Sequence, residues 1–219
     1  MSILSARDGY RAWAAQYSPE TAVSYLEDAL VREFDVPTSG RALLDAGCGT
    51  GRRLAHTDAA LAIGVDLAPM MLAESASPAL LAVADVRGLP FDDKSFDVVW
   101  CRLVIGHLPG IGAAYDELAR VCRPGGTVVV TDFHPDAVTA GHRRTFRDSA
   151  GVVREIEHYV HLLAAHATAA THAKLLPAAQ REGEVGPSIR HFYVDAGKSD
   201  AYEAQLGQRI VLAIAYRKG

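Results

Sequence analysis

The chain has 219 residues, of which 49% are hydrophobic and 22% are charged, a composition typical of one globular domain with a substantial core. The 22 lysines and arginines against 26 acidic residues give a net charge of -4, which argues against a dedicated nucleic-acid-binding protein. The apolar runs are too short for a membrane-spanning helix, and the first ten residues lack the apolar core of a signal peptide. The 3 cysteines have no CxxC spacing, which excludes a disulfide scaffold and a cysteine zinc site, so we expect a soluble cytoplasmic protein.

The N-terminal part of the chain has helical periodicity over residues 7–34, with an interruption near Pro19 because proline cannot continue a helix. Tyr10, Trp13 and Tyr17 recur at spacings of three and four residues and therefore share one helix face. Such a face either packs into the core or closes over a ligand, and the spacing fits both interpretations equally well.

Short apolar strands alternate with helices along the middle of the chain. The predicted strands are 41–46, 61–66, 80–84, 96–101 and 127–131, and the predicted helices are 52–57, 69–76 and 111–121. Apolar runs without alternation are typical of strands that are covered on both faces. The alternation of strands and helices therefore indicates βαβ units and a parallel sheet.

The pattern changes after Asp132. A hairpin with strands at 145–148 and 153–161 is predicted first, and a helix follows over residues 162–173. This segment interrupts the strand–helix alternation, so we expect it to form a small cap inserted after the fifth strand.

The C-terminal part contains two further apolar segments, 175–182 and 209–217, which are predicted to form a closing antiparallel pair. Pro177 would then lie at an edge or a bulge, because proline cannot donate a ladder hydrogen bond. With the earlier strands, this pair predicts a single α/β domain with a seven-stranded, mostly parallel sheet, helices on both faces and an antiparallel C-terminal hairpin.

The most informative segment is LLDAGCGTG, residues 43–51, in which a strand enters a glycine-rich turn and a helix follows. Glycines permit positive φ and a close approach of the backbone to a ligand, and the N-terminus of the following helix favours a negative group. A dinucleotide fingerprint is the competing interpretation. It requires a third glycine at position 52, which is Arg52 in this chain.

Acidic residues end three consecutive strands, at Asp45, Asp66 and Asp85. Asp66 follows Asp45 by about 20 residues, a spacing at which a carboxylate can accept hydrogen bonds from both hydroxyls of a ribose. Each acid alone is more often a solvated strand end or a helix cap. Ligands of open α/β sheets bind at the carboxyl ends of the strands, so the three acids together predict a binding site there.

Four segments in this order give the chain a resemblance to the class I S-adenosylmethionine-dependent methyltransferases: LLDAGCGTGR, GVDLAPMML, ADVRGLPFDDKSFDVV and ELARVCRPGG. They cover roughly residues 41–132, and the N-terminal YRAWAAQY resembles the lid helix of that family. Within the family, the core is most similar to the ubiquinone, menaquinone and biotin-pathway type. The resemblance implies a Rossmann-like fold, S-adenosyl-L-methionine as the cofactor, and methyl transfer to a small-molecule acceptor.

The resemblance also implies which residues surround the cofactor. They are Asp45, Gly47, Gly49, Gly51, Asp66, Leu67, Met71, Asp85, Val86 and Cys101. In that arrangement the glycines line the methionine portion, Asp66 binds the ribose, and Leu67 and Met71 flank the adenine. Asp85 faces the adenine amino group and Cys101 offers its carbonyl to the ammonium. Leu67 and Met71 are equally explained as core residues.

Two histidines are candidate general bases for the methyl transfer, because histidine titrates near neutrality. His107 and His134 follow the fourth and fifth strands. The protein mainly positions and desolvates the reacting groups, and a base is needed only if the nucleophile arrives protonated. An orienting or packing role is therefore the alternative for both histidines.

The cap segment is rich in arginine and histidine. Its arginines are Arg143, Arg144, Arg147 and Arg154. They form either a solvated face or a binding surface for an anionic acceptor, since the arginine fork matches carboxylates and phosphates. The spacing of the histidines matches no known metal motif, so we predict no metal site.

The predicted organisation is one methyltransferase domain with N-terminal lid helices (1–34), a cofactor-binding core (41–132), a cap insert (133–173) and a closing hairpin (174–219). In the lid and cap we predict that Tyr10, Trp13, Tyr17, Arg143 and Arg144 contact the acceptor or cover the site. Two alternatives to a methyltransferase are a nicotinamide-dependent oxidoreductase on a similar sheet and a non-catalytic protein that binds S-adenosylmethionine.

Overall fold

The computed structural model describes residues 3–17 and 20–219. Its strands are β1 (Ile3–Leu4), β2 (Ala42–Ala46), β3 (Leu61–Asp66), β4 (Leu80–Val83), β5 (Phe96–Arg102), β6 (Cys122–Phe133), β7 (Thr145–Arg147), β8 (Val153–Ile156), β9 (Leu175–Glu184) and β10 (Arg209–Lys218). Its helices are α1 (Ala6–Trp13), α2 (Ala22–Arg32), α3 (Pro69–Ala73), α4 (Gly112–Val121), α5 (Pro135–Thr139), α6 (Leu163–His172), α7 (Arg190–Asp195) and α8 (Ser199–Gln205). No helix among the described residues is long and apolar enough to cross a membrane.

The main sheet has seven strands in the order β4-β3-β2-β5-β6-β10-β9. Strands β2 to β6 pair in parallel, and β10 is antiparallel to both β6 and β9. The predicted seven-stranded, mostly parallel sheet with an antiparallel C-terminal hairpin is confirmed. Pro177 lies on the edge strand β9, opposite Tyr216 and next to a shift in register, as its missing N–H requires.

Helices cover both faces of this sheet because successive residues of each strand point to opposite sides. Val128 and Val130 of β6 pack with α4 and α6 on one face, where Tyr115 is fully buried. Val129 points to the other face and packs with α2 through Val31. This alternation explains why β6 is an unbroken apolar run in the sequence.

Two predicted helices are shorter in the structure. The predicted helix over 52–57 is a single 3-10 turn, Leu54–His56, and the one over 69–76 ends at Ala73. In the first case the adjoining Arg53 side chain forms ion pairs with Glu27 and Asp28 of α2. In the second, the Ser75 hydroxyl accepts the Ser77 N–H and forms a local turn instead.

The predicted interruption near Pro19 lies outside the described residues. Before it, α1 continues into a 3-10 turn over Ala14–Gln16. After it, α2 begins with a capping box in which Thr21 and Ser24 exchange side-chain and backbone hydrogen bonds. The two helices are therefore separate elements.

A second, three-stranded sheet joins β1 to the cap hairpin in the order β1-β8-β7. Strands β7 and β8 form the predicted antiparallel hairpin, although β8 ends at Ile156 rather than at residue 161. The parallel pairing of β1 with β8 was not predicted. The α1 helix lies directly on this sheet, since a Cβ at Gly9 would be 2.7 Å from Ile156 Cγ1. The helix α6, at the end of the predicted cap segment, instead packs against α4 on the main sheet.

Candidate active site

A cavity of about 590 Å³ lies at the carboxyl ends of β2 to β5, between the glycine loop, α1 and the cap. Most of the predicted site residues line it: Tyr10, Trp13, Tyr17, Gly47, Gly49, Asp66, Leu67, Met71, Asp85, Val86, His107, Arg143 and Arg144. Four predicted site residues lie outside its lining: Asp45, Gly51, Cys101 and His134.

The glycine loop leaves β2 with a backbone that only glycine adopts easily. Gly47 and Gly49 have φ angles of 90° and 59°. A Cβ at Gly47 would lie 2.2 Å from Val104 Cγ2, so the loop and the end of β5 approach each other too closely for any side chain there. Gly51 also has a positive φ, but it packs beside Ser75 and Ser77 rather than at the cavity.

Asp66, the last residue of β3, links the glycine loop to that strand through its carboxylate. One carboxylate oxygen accepts from the Gly49 N–H at 2.8 Å, and the other accepts from the Ala68 N–H at 2.8 Å. Burial raises the pKa of Asp66, and these backbone hydrogen bonds partly oppose that effect. Each oxygen retains a lone pair, so the carboxylate can still accept from a ligand hydroxyl.

Asp85 lies across the cavity and is held by its neighbour Arg87. Hydrogen bonds from the Arg87 side chain and backbone N–H lower the pKa of Asp85. The Asp85 carboxylate therefore lines the cavity in its ionised form and is paired with Arg87. Beside it, Val86 and Met71 are buried, whereas Leu67 is half-exposed at the rim.

Asp45 lies fully buried beneath the glycine loop, and neither of its carboxylate oxygens has a hydrogen-bond partner among the described residues. Burial raises its pKa to about 6, although the charges of Arg53 and Arg102 oppose the shift. Cys101 is equally buried on β5, and burial raises the pKa of its thiol. Both residues are buried beneath the cavity and do not line it.

A buried ion network supports the glycine loop from the side of α2. Glu27 accepts from Arg53 at 2.9 Å and from Arg102 at 2.7 Å, and also from the Thr131 hydroxyl at 2.8 Å. Asp28 binds the same two arginines and Arg52. Burial raises the pKa of Glu27, but the charges of Arg53 and Arg102 outweigh it and hold the value below the ordinary range. This network was not predicted from the sequence. The pattern that could have indicated it is the acidic pair Glu27-Asp28 on α2, together with Arg52 and Arg53 directly after the glycine loop.

The aromatic face of α1 closes one side of the cavity. Tyr10 and Trp13 are stacked with ring centroids 5.9 Å apart, and Trp13 stacks on Phe146 of β7 at 5.1 Å. Tyr17 meets Trp13 edge-on at 4.9 Å. The shared face predicted from the spacing therefore both packs on the cap and borders the cavity.

His107 is held in one tautomer. Its Nδ1 lies 3.1 Å from the Glu157 backbone carbonyl, which can only accept, so Nδ1 carries the proton. The Nε2 lone pair faces the Tyr10 hydroxyl at 3.1 Å and receives a hydrogen bond from Arg144 Nη1. Burial, and then the charge of Arg144, lower the pKa of His107 well below its usual value, so the ring is neutral.

Arg144 joins the cap to both the lid helix and the core. Besides His107, it donates to the Tyr10 hydroxyl at 2.8 Å and to the Leu103 carbonyl at 3.2 Å. Its guanidinium carbon lies 4.7 Å from the centre of the Phe133 ring. None of these partners is negatively charged.

The remaining cap arginines and His134 have local partners. Arg143 is largely exposed and pairs with Glu155 at 3.2 Å, and Arg154 pairs with Asp148. His134 is buried and its Nδ1 accepts from the Asp136 N–H at the start of α5, which makes it a helix cap. His134 therefore caps α5 outside the cavity lining, whereas His107 lines the cavity.

The family profile described as "Methyltransferase domain" matches residues 44–130. Curated relatives include the malonyl-[acyl-carrier protein] O-methyltransferase of Dechloromonas aromatica, 31% identical over 57% of this chain and 45% of that protein. The 27-O-demethylrifamycin SV methyltransferase of Amycolatopsis mediterranei is 30% identical over 65% of this chain and 59% of its own length. The demethylmenaquinone methyltransferase of Roseiflexus castenholzii is 41% identical over 42% of each chain. The match thus spans about half the length of these relatives.

Solved structures share the fold over most of the chain. An S-adenosylmethionine-dependent methyltransferase from Mesorhizobium loti superposes with a TM-score of 0.65 at 19% identity, covering 88% of this chain and 97% of that one. The geranyl diphosphate C-methyltransferase of Streptomyces coelicolor gives a TM-score of 0.64 at 15% identity, covering 90% and 79%. The family profile thus shows a methyltransferase domain over residues 44–130, and the solved structures show that the chain shares the fold of these methyltransferases over most of its length.

Proposed function

We propose that this protein transfers the methyl group of S-adenosylmethionine to a small-molecule acceptor. The observation that carries the proposal is one cavity in which the glycine loop and Asp66 face His107 and Arg144. Its volume is within the range of about 300–1,000 Å³ typical of small-molecule sites. The named methyltransferase relatives support the same activity, and the net charge of -4 favours a small molecule over a nucleic acid.

The residues of this cavity fit S-adenosylmethionine. Gly47 and Gly49 line the cavity without side chains, so the methionine portion can approach the backbone of the loop. The free lone pairs of Asp66 suit the ribose hydroxyls, and the ionised Asp85 suits the adenine amino group. Asp45 adds a buried, unpaired carboxylate beneath the loop, on the side of the positively charged methionine portion.

Methyl transfer mainly requires the protein to hold the acceptor beside the methyl group and to exclude water. When bound, S-adenosylmethionine would supply an electrophilic methyl group on a sulfonium sulfur, and this sulfur would leave with the carbon–sulfur electrons when an acceptor nucleophile displaces it. Tyr10, Trp13 and Tyr17 exclude water from the reacting atoms. His107 is the side chain we propose to take a proton or orient the acceptor, because its Nε2 carries a lone pair on the cavity side.

The acceptor is proposed to carry a carboxylate or another anionic group. Arg144 lines the cavity, and the described part of the chain provides no carboxylate partner for it. A partly buried guanidinium without a counter-charge is unfavourable, and arginine binds carboxylates with two parallel hydrogen bonds. Arg143, which is paired with Glu155, has less capacity for this role.

We also propose a cytoplasmic location. It rests on the cysteines, since Cys48, Cys101 and Cys122 are all free and buried. Unpaired thiols of this kind are typical of proteins from reducing compartments.

The first expected result concerns ligand choice. S-Adenosylhomocysteine should bind with micromolar affinity, and NAD should not bind, because Arg52 occupies the third glycine position of a dinucleotide fingerprint and pairs with Asp28. Isothermal titration calorimetry measures both. Binding of NAD without binding of S-adenosylhomocysteine would contradict the proposed function.

A second expected result concerns His107. Replacing it with alanine should lower the turnover number about 100-fold while S-adenosylmethionine still binds, since a general base contributes about 10²–10⁴ in rate. His107→Asn retains a hydrogen-bonding side chain without a titrating nitrogen, so it recovers the rate only if orientation is the whole role. Full turnover of the alanine variant on an acceptor that must lose a proton would exclude His107.

A further inference from the structure

The atom of His107 that would take a proton is already occupied. The Nδ1 proton is committed to the Glu157 carbonyl, so only the Nε2 lone pair is available as a base. That lone pair receives a hydrogen bond from Arg144 and lies 3.1 Å from the Tyr10 hydroxyl. An acceptor proton cannot reach Nε2 while Arg144 stays in this position.

We propose that Arg144 is an acceptor-sensing residue, which moves its hydrogen bond from His107 Nε2 to a carboxylate on the acceptor and thereby frees the lone pair of His107. This inference rests on the proposed function and specifies how the same site distinguishes anionic from neutral acceptors. A neutral acceptor leaves Arg144 in place and His107 blocked. An anionic acceptor both binds Arg144 and makes the base available.

Arg144 is free to make this exchange because its present partners are weak competitors. It donates to a histidine, to the Tyr10 hydroxyl and to the Leu103 carbonyl, all neutral groups. A carboxylate adds an opposite charge and accepts two parallel hydrogen bonds from one guanidinium, which none of these neutral acceptors does. The exchange therefore favours an acceptor carboxylate.

The nearby carboxylates of the cap do not satisfy Arg144. Glu155 is paired with Arg143 at 3.2 Å. Glu157 accepts from the Ala6 N–H at 3.1 Å and from the Tyr159 hydroxyl at 3.3 Å. Both acids are held by other partners, which keeps the charge of Arg144 available to a ligand.

The structure also provides space for the movement. A second cavity of about 320 Å³ lies under the cap, and Arg144 is part of the wall that it shares with the main cavity. His142, His158 and Tyr159 are among the residues that line it. The guanidinium can therefore turn towards either cavity without crossing the apolar core.

The groups around His107 determine what the exchange does to its basicity. They are Tyr10 from α1, Arg144 from the cap, the Glu157 carbonyl, and His158 with its ring centre 6.3 Å away. Burial makes the largest contribution to the lowered pKa of His107, and the charge of Arg144 makes the next largest. The hydrogen bond to the Glu157 carbonyl raises this pKa, and His158 lowers it slightly. Pairing Arg144 with a carboxylate cancels its charge, so the pKa of His107 rises as its lone pair becomes free.

The experiment measures the ionisation of His107 directly by NMR of protein labelled with ¹⁵N-histidine, using His107→Asn to assign the signal. The protein is saturated with S-adenosylhomocysteine, and benzoate is the anionic probe, with benzamide as its neutral counterpart. We expect benzoate to raise the pKa of His107 by about one unit or more and benzamide to leave it unchanged. Arg144→Gln should raise this pKa without any probe and abolish the benzoate effect.

Two further variants test the assignment to Arg144. Arg144→Lys keeps the positive charge and should keep the pKa of His107 low. Arg147→Gln is the matched control, since Arg147 lies on β7, bonds to the Gly151 carbonyl and lines neither cavity. It should respond to benzoate like the wild type.

A wild-type His107 signal that benzoate leaves unchanged, in protein that binds S-adenosylhomocysteine, would overturn this inference but not the proposed function. An Arg144→Gln variant with an unchanged His107 pKa would do the same. Failure to bind S-adenosylhomocysteine would instead overturn the proposed function, and calorimetry on the same samples distinguishes the two cases.

Discussion

Glu27→Gln will lower the free energy of unfolding by about 3–5 kcal/mol, the loss typical of removing one partner from a buried ion pair. Glu27 has no exposed surface and binds Arg53 and Arg102 together. In the variant, position 27 no longer carries a charge, and Asp28 is the remaining acid of α2 that pairs with both arginines. Denaturant unfolding followed by circular dichroism measures the change. The matched control is Glu33→Gln, because Glu33 forms an exposed pair with Arg181 and should contribute less than about 1 kcal/mol.

The pH dependence of stability follows from the same carboxylate. The pKa of Glu27 is lower in the folded state than in the unfolded chain, where it is about 4.3. Its contribution is therefore fully present above about pH 4.3 and is lost as the pH falls through the folded value. Glu27→Gln should remove this part of the acid sensitivity. An equal loss of stability on acidification in the wild type and the variant would show that Glu27 does not ionise as described.

Asp66→Ala will weaken the binding of S-adenosylhomocysteine about 100-fold or more. Two charge-assisted hydrogen bonds to the ribose are worth roughly 1.5–3 kcal/mol each, and about 1.4 kcal/mol corresponds to a factor of ten. The substitution also releases the Gly49 N–H, so the glycine loop loses an anchor beside the cofactor. Calorimetry measures the dissociation constant.

The control for Asp66 is Asp58→Ala, at an exposed acid that bonds to Thr38 and does not line the cavity. Its affinity for S-adenosylhomocysteine should equal that of the wild type. Thermal unfolding establishes that Asp66→Ala is folded at the temperature of the titration. A folded Asp66→Ala protein with an unchanged dissociation constant would refute the ribose role.

The core of the fold was predictable because its signals are local. Strands such as β3 (Leu61–Asp66) are largely apolar runs, and β3 ends at an acid that interrupts the pattern. The closing pair β9 and β10 was predicted for the same reason, as was the edge position of Pro177. The aromatic spacing also sufficed to predict a shared helix face, and the structure places that face at the cavity.

Long-range contacts were not predictable from local pattern. β1 has two residues and no periodicity, and its partner β8 lies more than a hundred positions away in the chain. The ion network of Glu27 likewise joins α2 to residues after β2 and at the end of β5, which only the folded topology brings together. The difference between Arg143 and Arg144 depends on which side chain finds a carboxylate, a question of tertiary geometry rather than of spacing.

The short parallel pairing of β1 with β8 couples α1 to the cap. Ile3 and Leu4 join the lid helix to the cap by main-chain hydrogen bonds, and Trp13 stacks on Phe146 from the same helix. The helix α1 and the cap hairpin are therefore mechanically coupled on either side of the cavity. A displacement of one element moves the other with it or breaks the β1–β8 pairing.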